Sequence, residues 1–308
     1  MARFVNLATV RFQSEWARGK DGARKVVLEE IAEALAALRG HGVDLAIFSE
    51  GVEAVAQSMA EAETLASPGP VLQLYRDFAR QERCHVAGSV KLKAGPCVYN
   101  AVVYYGPDGK PLGYYGKTYP TIGELEMGLA PGPGAVVLDT PIGRLGTAIC
   151  FDLNFQPLRH AYRALKPDII VFASLYHGGL AQAIWAYECR AFFACAWQYT
   201  GGGVLDPFGR TLAVNDCYHP IARVTVNLDR AFVHLDYNRE KFPEIERKYR
   251  GEVIIDIPPD LGPAMIVSQT GKRTAMDVVR EFGLELLDDY FVRAEGRRDA
   301  AFRVHPAG

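Results

Sequence analysis

Positive charge is not in excess in this chain. Its 34 Lys and Arg residues face 36 Asp and Glu, giving a formal charge of -2 and a pI near 6.4. A chain without a basic field lacks the electrostatic footprint that draws a protein to nucleic acid or anionic lipid. The expected partner is therefore a small molecule, with no nucleic acid and no membrane. Proline, glycine and serine are not enriched, and a hydrophobic fraction of 49% beside a charged fraction of 23% is that of a globular chain rather than a disordered one. Cysteine is sparse and unpaired in spacing. Cys84, Cys97, Cys150, Cys189, Cys195 and Cys217 form no short doublets, which excludes a zinc knuckle or a disulfide framework and fits a reduced compartment.

Long apolar runs are missing as well. The opening MARFVNLATVRF sets Arg3 and Arg11 around a stretch too short and too interrupted for a signal peptide or a membrane span. With the scattered thiols, this leads to the expectation of a cytoplasmic protein.

What is present is an alternation of strands and helices. FVNLATVRF reads as a strand and KVVLEEIAEALAALRG as an amphipathic helix ending at glycines. The buried strand VDLAIFSE, the helix VLQLYRDFARQE and the strand CHVAGSVKL follow. VYNAVVYYG and LGYYGKTY flank a PDGK turn, AVVLDT and RLGTAICFD flank a second turn, and VLDPFGRTLA repeats the hairpin theme. PLRHAYRALK reads as a helix before the strand DIIVFASL, and a further helix is expected at about residues 181 to 193. RVTVNLD and AFVHLDY look like closing strands. The pattern predicts an α/β domain over residues 1–250. The extension 251–308, with a strand-like piece and a helical pattern near 273 to 293, is expected to pack on a partner subunit.

Three apolar segments end on a polar, potentially reactive residue, the position at which open α/β sheets present ligands. They are Glu50, Lys117 and Cys150. A thiolate is the strongest nucleophile of the set. None of the seven histidines stands in a spacing that marks it as the activating base. A carboxylate takes that role instead: Glu50, partly desolvated at its strand end, is suited to move a proton. Lys117, with the backbone N–H of Phe151, would hold a developing oxyanion.

Taken in order, Glu, Lys and Cys with their local contexts resemble the nitrilase superfamily of carbon-nitrogen hydrolases, over roughly residues 4 to 250. AICFDLNF resembles the family's nucleophile segment and places Cys150, Phe151, Asp152 and Phe155. YNAVVYYGPDGKPLGYYGKTYP, followed by GLAPG, is similar to the segment carrying the lysine. FSEGVEA resembles the segment carrying the base, with Ser49 where a proline often stands, and Glu53 is read as structural. A second glutamate usually lies between the lysine and the Pro-Gly. Glu124 and Glu126 both qualify, and Glu124 is preferred. The Gly201–Gly203 run resembles a late turn segment and is no phosphate loop. Departures at Tyr119, at Gln156 and Pro157, and in RAFF at 190–193 alter the walls of the site, so Tyr119, Phe151, Asn154, Tyr176 and His177 are the candidate substrate contacts.

The resemblance implies a four-layer α-β-β-α sandwich, a homodimer or higher homo-oligomer, and hydrolysis of an amide or N-carbamoyl bond through a thioester, with no metal or organic cofactor. Three other readings remain at this point: a nitrilase acting on a nitrile, a catalytically silent binding module of the same fold, and an ammonia-supplying glutaminase unit for a separate synthetase.

Overall fold

A computed structural model describes residues 1–304. Its packing forms two compact units, Val5–Val226 and a second made of Met1–Phe4 with the residues from Asn227 onward.

The larger unit contains strands β1 (Phe4–Val10), β2 (Leu45–Phe48), β3 (His85–Ala94), β4 (Cys97–Tyr105), β5 (Pro111–Gly116), β6 (Val137–Thr140), β7 (Gly143–Ile149), β8 (Ile169–Ser174), β9 (Phe192–Trp197), β10 (Gly203–Leu205), β11 (Thr211–Val214) and β12 (Ile221–Asn227). Its helices are α1 (Ala23–Leu38), α2 (Val52–Ala56), α3 (Pro70–Glu82), α4 (Ile122–Glu126), α5 (Gln156–Leu165) and α6 (Leu180–Cys189). One sheet runs β12-β1-β2-β3-β4-β5 and the other β11-β10-β9-β8-β7-β6. Each has a parallel centre, β1-β2-β3 or β7-β8-β9, continued by two antiparallel strands.

The central strands are covered on both faces, which explains their continuous apolar texture. Side chains alternate along a strand. In β2, Ala46 and Phe48 join Val27, Ile31, Val71 and Tyr75 of α1 and α3, which leaves the equally buried Leu45 and Ile47 on the opposite face. In β8, Ile170 and Phe172 pack with Leu158, Tyr162 and Trp185 of α5 and α6. Hydrogen bonds cross between the two sheets, from Tyr104 in β4 to Thr147 in β7 at 2.5 Å and from Ser49 Oγ, after β2, to the Ser174 carbonyl at 2.8 Å. The order of layers is helix, sheet, sheet, helix.

The hairpins fall where the turn residues put them, but the helix expected at 181 to 193 is shorter. It ends at Cys189 because Arg190 takes a left-handed conformation at φ 55°, and the apolar FFACAW run becomes the central strand β9, buried between β8 and β10.

The smaller unit has its own sheet of β13 (Arg230–His234), β14 (Val253–Asp256) and β15 (Pro263–Ser268), in the order β13-β15-β14. Helices α7 (Phe242–Tyr249), α8 (Ala275–Glu281) and α9 (Leu287–Val304) accompany it, and Val233, Ile245, Ile266 and Val278 form a fully buried core. The division at Asn227 lies ahead of the boundary at 250 read from the sequence, because β13 pairs with β15 across that point. Among the described residues no helix is long and apolar enough to cross a membrane.

Tyr162 of α5 ties its layer to the β6-β7 hairpin. Its buried hydroxyl donates to the Thr147 carbonyl at 2.6 Å and accepts from the N–H groups of Thr147 and Val136 at 3.2 Å. Tyr162→Phe strands these backbone groups and should lower stability by about 1–3 kcal/mol. Urea denaturation measures this, and an unchanged midpoint would show that the hydroxyl carries no net weight.

Candidate active site

Glu50 follows β2 in a turn that only glycine can complete. Gly51 has φ 115°, and a Cβ there would come within 2.6 Å of Phe12 and 2.9 Å of Leu175. Glu50 is 2% exposed. Its Oε2 accepts from the Leu175 N–H at 2.9 Å, and its Oε1 accepts from Lys117 Nζ at 2.9 Å and Asn100 Nδ2 at 2.8 Å.

Lys117 follows β5 and is 1% exposed. Its backbone is clamped by the Pro131-Gly132 segment: the Gly132 N–H donates to the Lys117 carbonyl at 2.8 Å, and a Cβ on Gly132 would lie 2.0 Å from the Gly116 oxygen. The ammonium bridges Glu50 and Glu124, reaching Glu124 Oε2 at 2.9 Å and Oε1 at 3.1 Å.

Glu124 is placed by a capping box at the start of α4. The Thr121 hydroxyl accepts from the Glu124 N–H, while Glu124 Oε2 accepts from the Thr121 N–H at 2.7 Å. Of the two candidate glutamates it is Glu124 that meets Lys117; Glu126 is exposed.

Cys150 follows β7 and opens a short 3-10 turn, Cys150–Asn154, with φ 46°. A left-handed conformation at a non-glycine residue costs on the order of 1–3 kcal/mol and persists only where its surroundings impose it. Here the imposing group is Asp152, fully buried. Its carboxyl accepts from the N–H of Ile149 at 2.9 Å, the N–H of Tyr119 at 2.7 Å and the Tyr115 hydroxyl at 2.8 Å. Burial outweighs these donors and pushes Asp152 up to about 7.

Electrostatics follow from the packing. Burial pulls Lys117 down, but the charges of Glu50, Cys150 and Glu124 overcome it and hold the ammonium above its ordinary value. Burial pushes Glu124 up, yet Lys117, Asn100 and the Thr121 N–H together keep it below the usual glutamate range. Burial, then the charge of Glu50, pushes the Cys150 thiol up to about 12 against the opposing pull of Lys117. The resting Cys150 is thus a thiol.

These groups line a cavity of about 260 Å³, whose walls also include Glu53, Lys91, Met127 and Leu129. A larger groove of about 700 Å³ between α1 and α3 holds neither a thiol nor a buried carboxylate, so the chemistry points to the smaller one. Among the described residues no group of His, Cys, Asp or Glu is arranged to hold a metal ion.

The sequence-derived wall residues lie elsewhere. Tyr119 stacks flat on Phe155, with ring centroids 3.8 Å apart, and Phe151 meets Phe155 edge-on. Asn154 is exposed and donates to the Phe151 carbonyl at 3.0 Å. His177 contacts the Gly201 carbonyl at 3.0 Å. Burial, then the charge of the nearby Cys150, pushes the Tyr176 hydroxyl up. None of the five contributes its side chain to the cavity that holds Cys150, although the Phe151 N–H directly follows that residue.

Sequence reasoning passed over Asn100, whose amide donates to both Glu50 and Glu124 at 2.8 Å, and read Glu53 as structural. Glu53 is 3% exposed and lines the cavity. It accepts from the Gly51 N–H at 2.9 Å, and burial followed by the nearby Glu50 charge pushes it up to about 7.

Residues 6–227 match the carbon-nitrogen hydrolase family. Over 225 residues the chain is 25% identical to the deaminated glutathione amidase of Dictyostelium discoideum, covering 62% of this chain and 76% of that one. A Saccharomyces cerevisiae member of branch 10 of the nitrilase superfamily superposes with a TM-score of 0.63 at 16% identity, over 80% of this chain and 94% of that one. An amidase from Nesterenkonia sp. superposes with a TM-score of 0.61 at 19% identity, over 80% and 96%. At those identities the structural likeness speaks for the fold, and the layers described above are those of the nitrilase superfamily. With the match spanning most of the chain, this protein belongs to the carbon-nitrogen hydrolase family.

Proposed function

We propose that the chain hydrolyses the carbon-nitrogen bond of a small amide or N-carbamoyl compound through a thioester on Cys150. The observation that carries this reading is the convergence of a half-buried thiol, a carboxylate whose charge raises it and an ammonium shared by two carboxylates in one cavity. The amidase relative matches 62% of the chain whereas the nitrilase of Arabidopsis thaliana matches 32%, which favours an amide over a nitrile.

Glu50 takes the Cys150 proton as Sγ attacks the carbonyl carbon, and the carbonyl π pair moves onto oxygen. Lys117 has three N–H donors. Two meet Glu50 and Glu124, and the third, with the Phe151 N–H, receives the oxyanion. Collapse expels the nitrogen, which leaves as ammonia or an amine on taking the proton from Glu50. Water, deprotonated by the same Glu50, then attacks the thioester, and the thiol leaves with that proton as the carboxylic acid departs. Glu124 and Asn100 position Lys117 and Glu50. The enzyme acts as a homodimer or higher homo-oligomer. Leu180 and Ile184, exposed one turn apart on α6, offer an apolar face for that contact.

Cys150→Ala should abolish ammonia release from aliphatic amides and N-carbamoyl amino acids, and wild type should show an acyl adduct on Cys150 by intact-protein mass spectrometry. Turnover by the alanine variant would sink the mechanism. Glu50→Gln should act in two opposite directions. Amide hydrolysis falls about 100- to 10,000-fold with the loss of the proton carrier. The Cys150 thiol, freed of the negative charge that raises it, titrates at lower pH, so its alkylation by iodoacetamide reaches half-maximal rate below the wild-type midpoint. An unshifted alkylation profile would mean that Glu50 does not govern the thiol.

A further inference from the structure

Among the described residues lining the cavity, Glu53 and Lys91 are the buried ionisable groups that the reaction above does not use, at 3% and 7% exposed. Both grip α2, the helix that starts directly after Glu50 and Gly51. Glu53 Oε2 accepts from the Gly51 N–H at 2.9 Å. That N–H belongs to the peptide group joining Glu50 to Gly51, whose carbonyl oxygen accepts from Ser49 Oγ at 2.9 Å. The carbonyl of Gly51 then opens α2 by accepting from the N–H groups of Ala54 and Val55 at 3.1 and 3.0 Å.

Lys91 grips the other end. Its Nζ donates to the carbonyls of Glu53 at 3.0 Å and Gln57 at 2.6 Å, and its backbone N–H donates to Gln57 Oε1 at 2.7 Å. The ammonium thereby satisfies carbonyls that the end of a helix leaves unpaired. Lys91 lies on β3 opposite Asn100 of β4, and the Asn100 amide donates to Glu50. One rung of the sheet therefore holds the Glu50 side chain through Asn100, and the backbone behind it through Lys91 and α2. The need for the second hold follows from length. α2 has five residues, whereas a helix shorter than about 12 residues is marginal without outside contacts, and Gly51, at φ 115°, has no side chain to restrain its backbone.

We propose that Glu53 and Lys91 form a clamp on α2 that fixes the Glu50–Gly51 peptide group and, through it, the aim of the Glu50 carboxylate at the Cys150 sulfur. Both are positioning residues, and neither touches the reacting atoms. The clamp acts on a proton transfer, which needs hydrogen-bond reach, so a displacement of about 1 Å costs on the order of 100-fold in rate. Its catalytic consequence rests on the hydrolase reading. The competing role is electrostatic, in which the two charges set the field in the cavity and their hydrogen bonds to α2 carry no weight.

Two substitutions at Glu53 separate contact from charge. Glu53→Gln keeps an acceptor for the Gly51 N–H and removes the charge, whereas Glu53→Asp keeps the charge and shortens the reach by one carbon. With butyramide as the probe, the clamp predicts that kcat falls about 10- to 100-fold in Glu53→Asp and in Lys91→Met. KM changes far less, and Glu53→Gln and Lys91→Arg retain most of the wild-type rate. The double variant Glu53→Asp/Lys91→Met loses little more than the worse single one, because both act through α2. In parallel, the pH profile of Cys150 alkylation by iodoacetamide reads the placement of Glu50 without any amide turnover. Its midpoint should fall in Lys91→Met, as expected for Glu50→Gln, whereas the loss of a cation by itself would raise it. Urea denaturation shows which variants are folded, and should Lys91→Met not fold, the two Glu53 variants decide alone. A fallen midpoint without turnover upholds the clamp and leaves the hydrolase reading alone to fall. Larger losses in Glu53→Gln than in Glu53→Asp, or a midpoint in Lys91→Met that rises or holds, overturn the proposal.

Discussion

The site depends on one buried ammonium shared by two carboxylates. Taking Lys117, Glu50 and Glu124 out of water is costly, and the cost is recovered only if every charge is met at close range and the remaining lone pairs find donors. Both conditions hold. Lys117 Nζ lies 2.9 Å from each carboxylate, Asn100 donates to both, and the N–H groups of Leu175 and Thr121 take the outer oxygens. Removing Lys117 would leave two buried carboxylates without a counter-charge, and removing either carboxylate would strand the donors that it accepts from. This makes the network rigid, and rigidity is what a preorganised oxyanion site requires.

The backbone serves that network. Each member sits just past a strand end or at a helix start, where the chain leaves regular pairing and can be held by a specific contact. Gly51 lets the chain turn under Phe12 and Leu175, Gly132 lets its segment lie against Gly116 and hold Lys117, and Asp152 keeps Cys150 in its left-handed turn. The sheets bring these ends together because hydrogen bonds and side chains link β2 with β8 and β4 with β7.

The same logic explains what the sequence could and could not reveal. Strands buried on both faces are legible as apolar runs, and a polar residue ending such a run stands out, which is why Glu50, Lys117 and Cys150 could be read together. The hairpins were legible through their turn residues. The end of α6 was not, because Arg190 in a left-handed conformation carries no glycine signal, and an apolar run joined to a helix looks like more helix. Glu124 and Glu126 could not be separated by loop spacing, although Thr121 three residues before Glu124 is a capping-box signature that favours it. Lys91 had no such mark. In VKLK it reads as the solvent face of a half-exposed strand, and only the fold over it by α2 makes it a cavity residue. Tyr119, a departure from the family pattern, and Asn154, a candidate substrate contact, make packing and turn contacts.

Charge bookkeeping across the proposed reaction shows what the network would contribute to it. With both carboxylates ionised, Lys117 charged and Cys150 a neutral thiol, the four groups sum to one negative charge. A free thiolate beside an ionised Glu50 would add a second, in a cavity where burial already disfavours it, and the thiol is accordingly pushed up to about 12. Transfer of the proton to Glu50 as sulfur attacks avoids that state. Glu50 becomes neutral while the charge passes to the oxyanion beside Lys117, and the sum stays at one negative charge. The raised thiol is therefore consistent with the proposed role of nucleophile: in that reaction deprotonation is tied to the arrival of a carbonyl carbon, and a thiol at rest is less open to alkylation or oxidation than a thiolate.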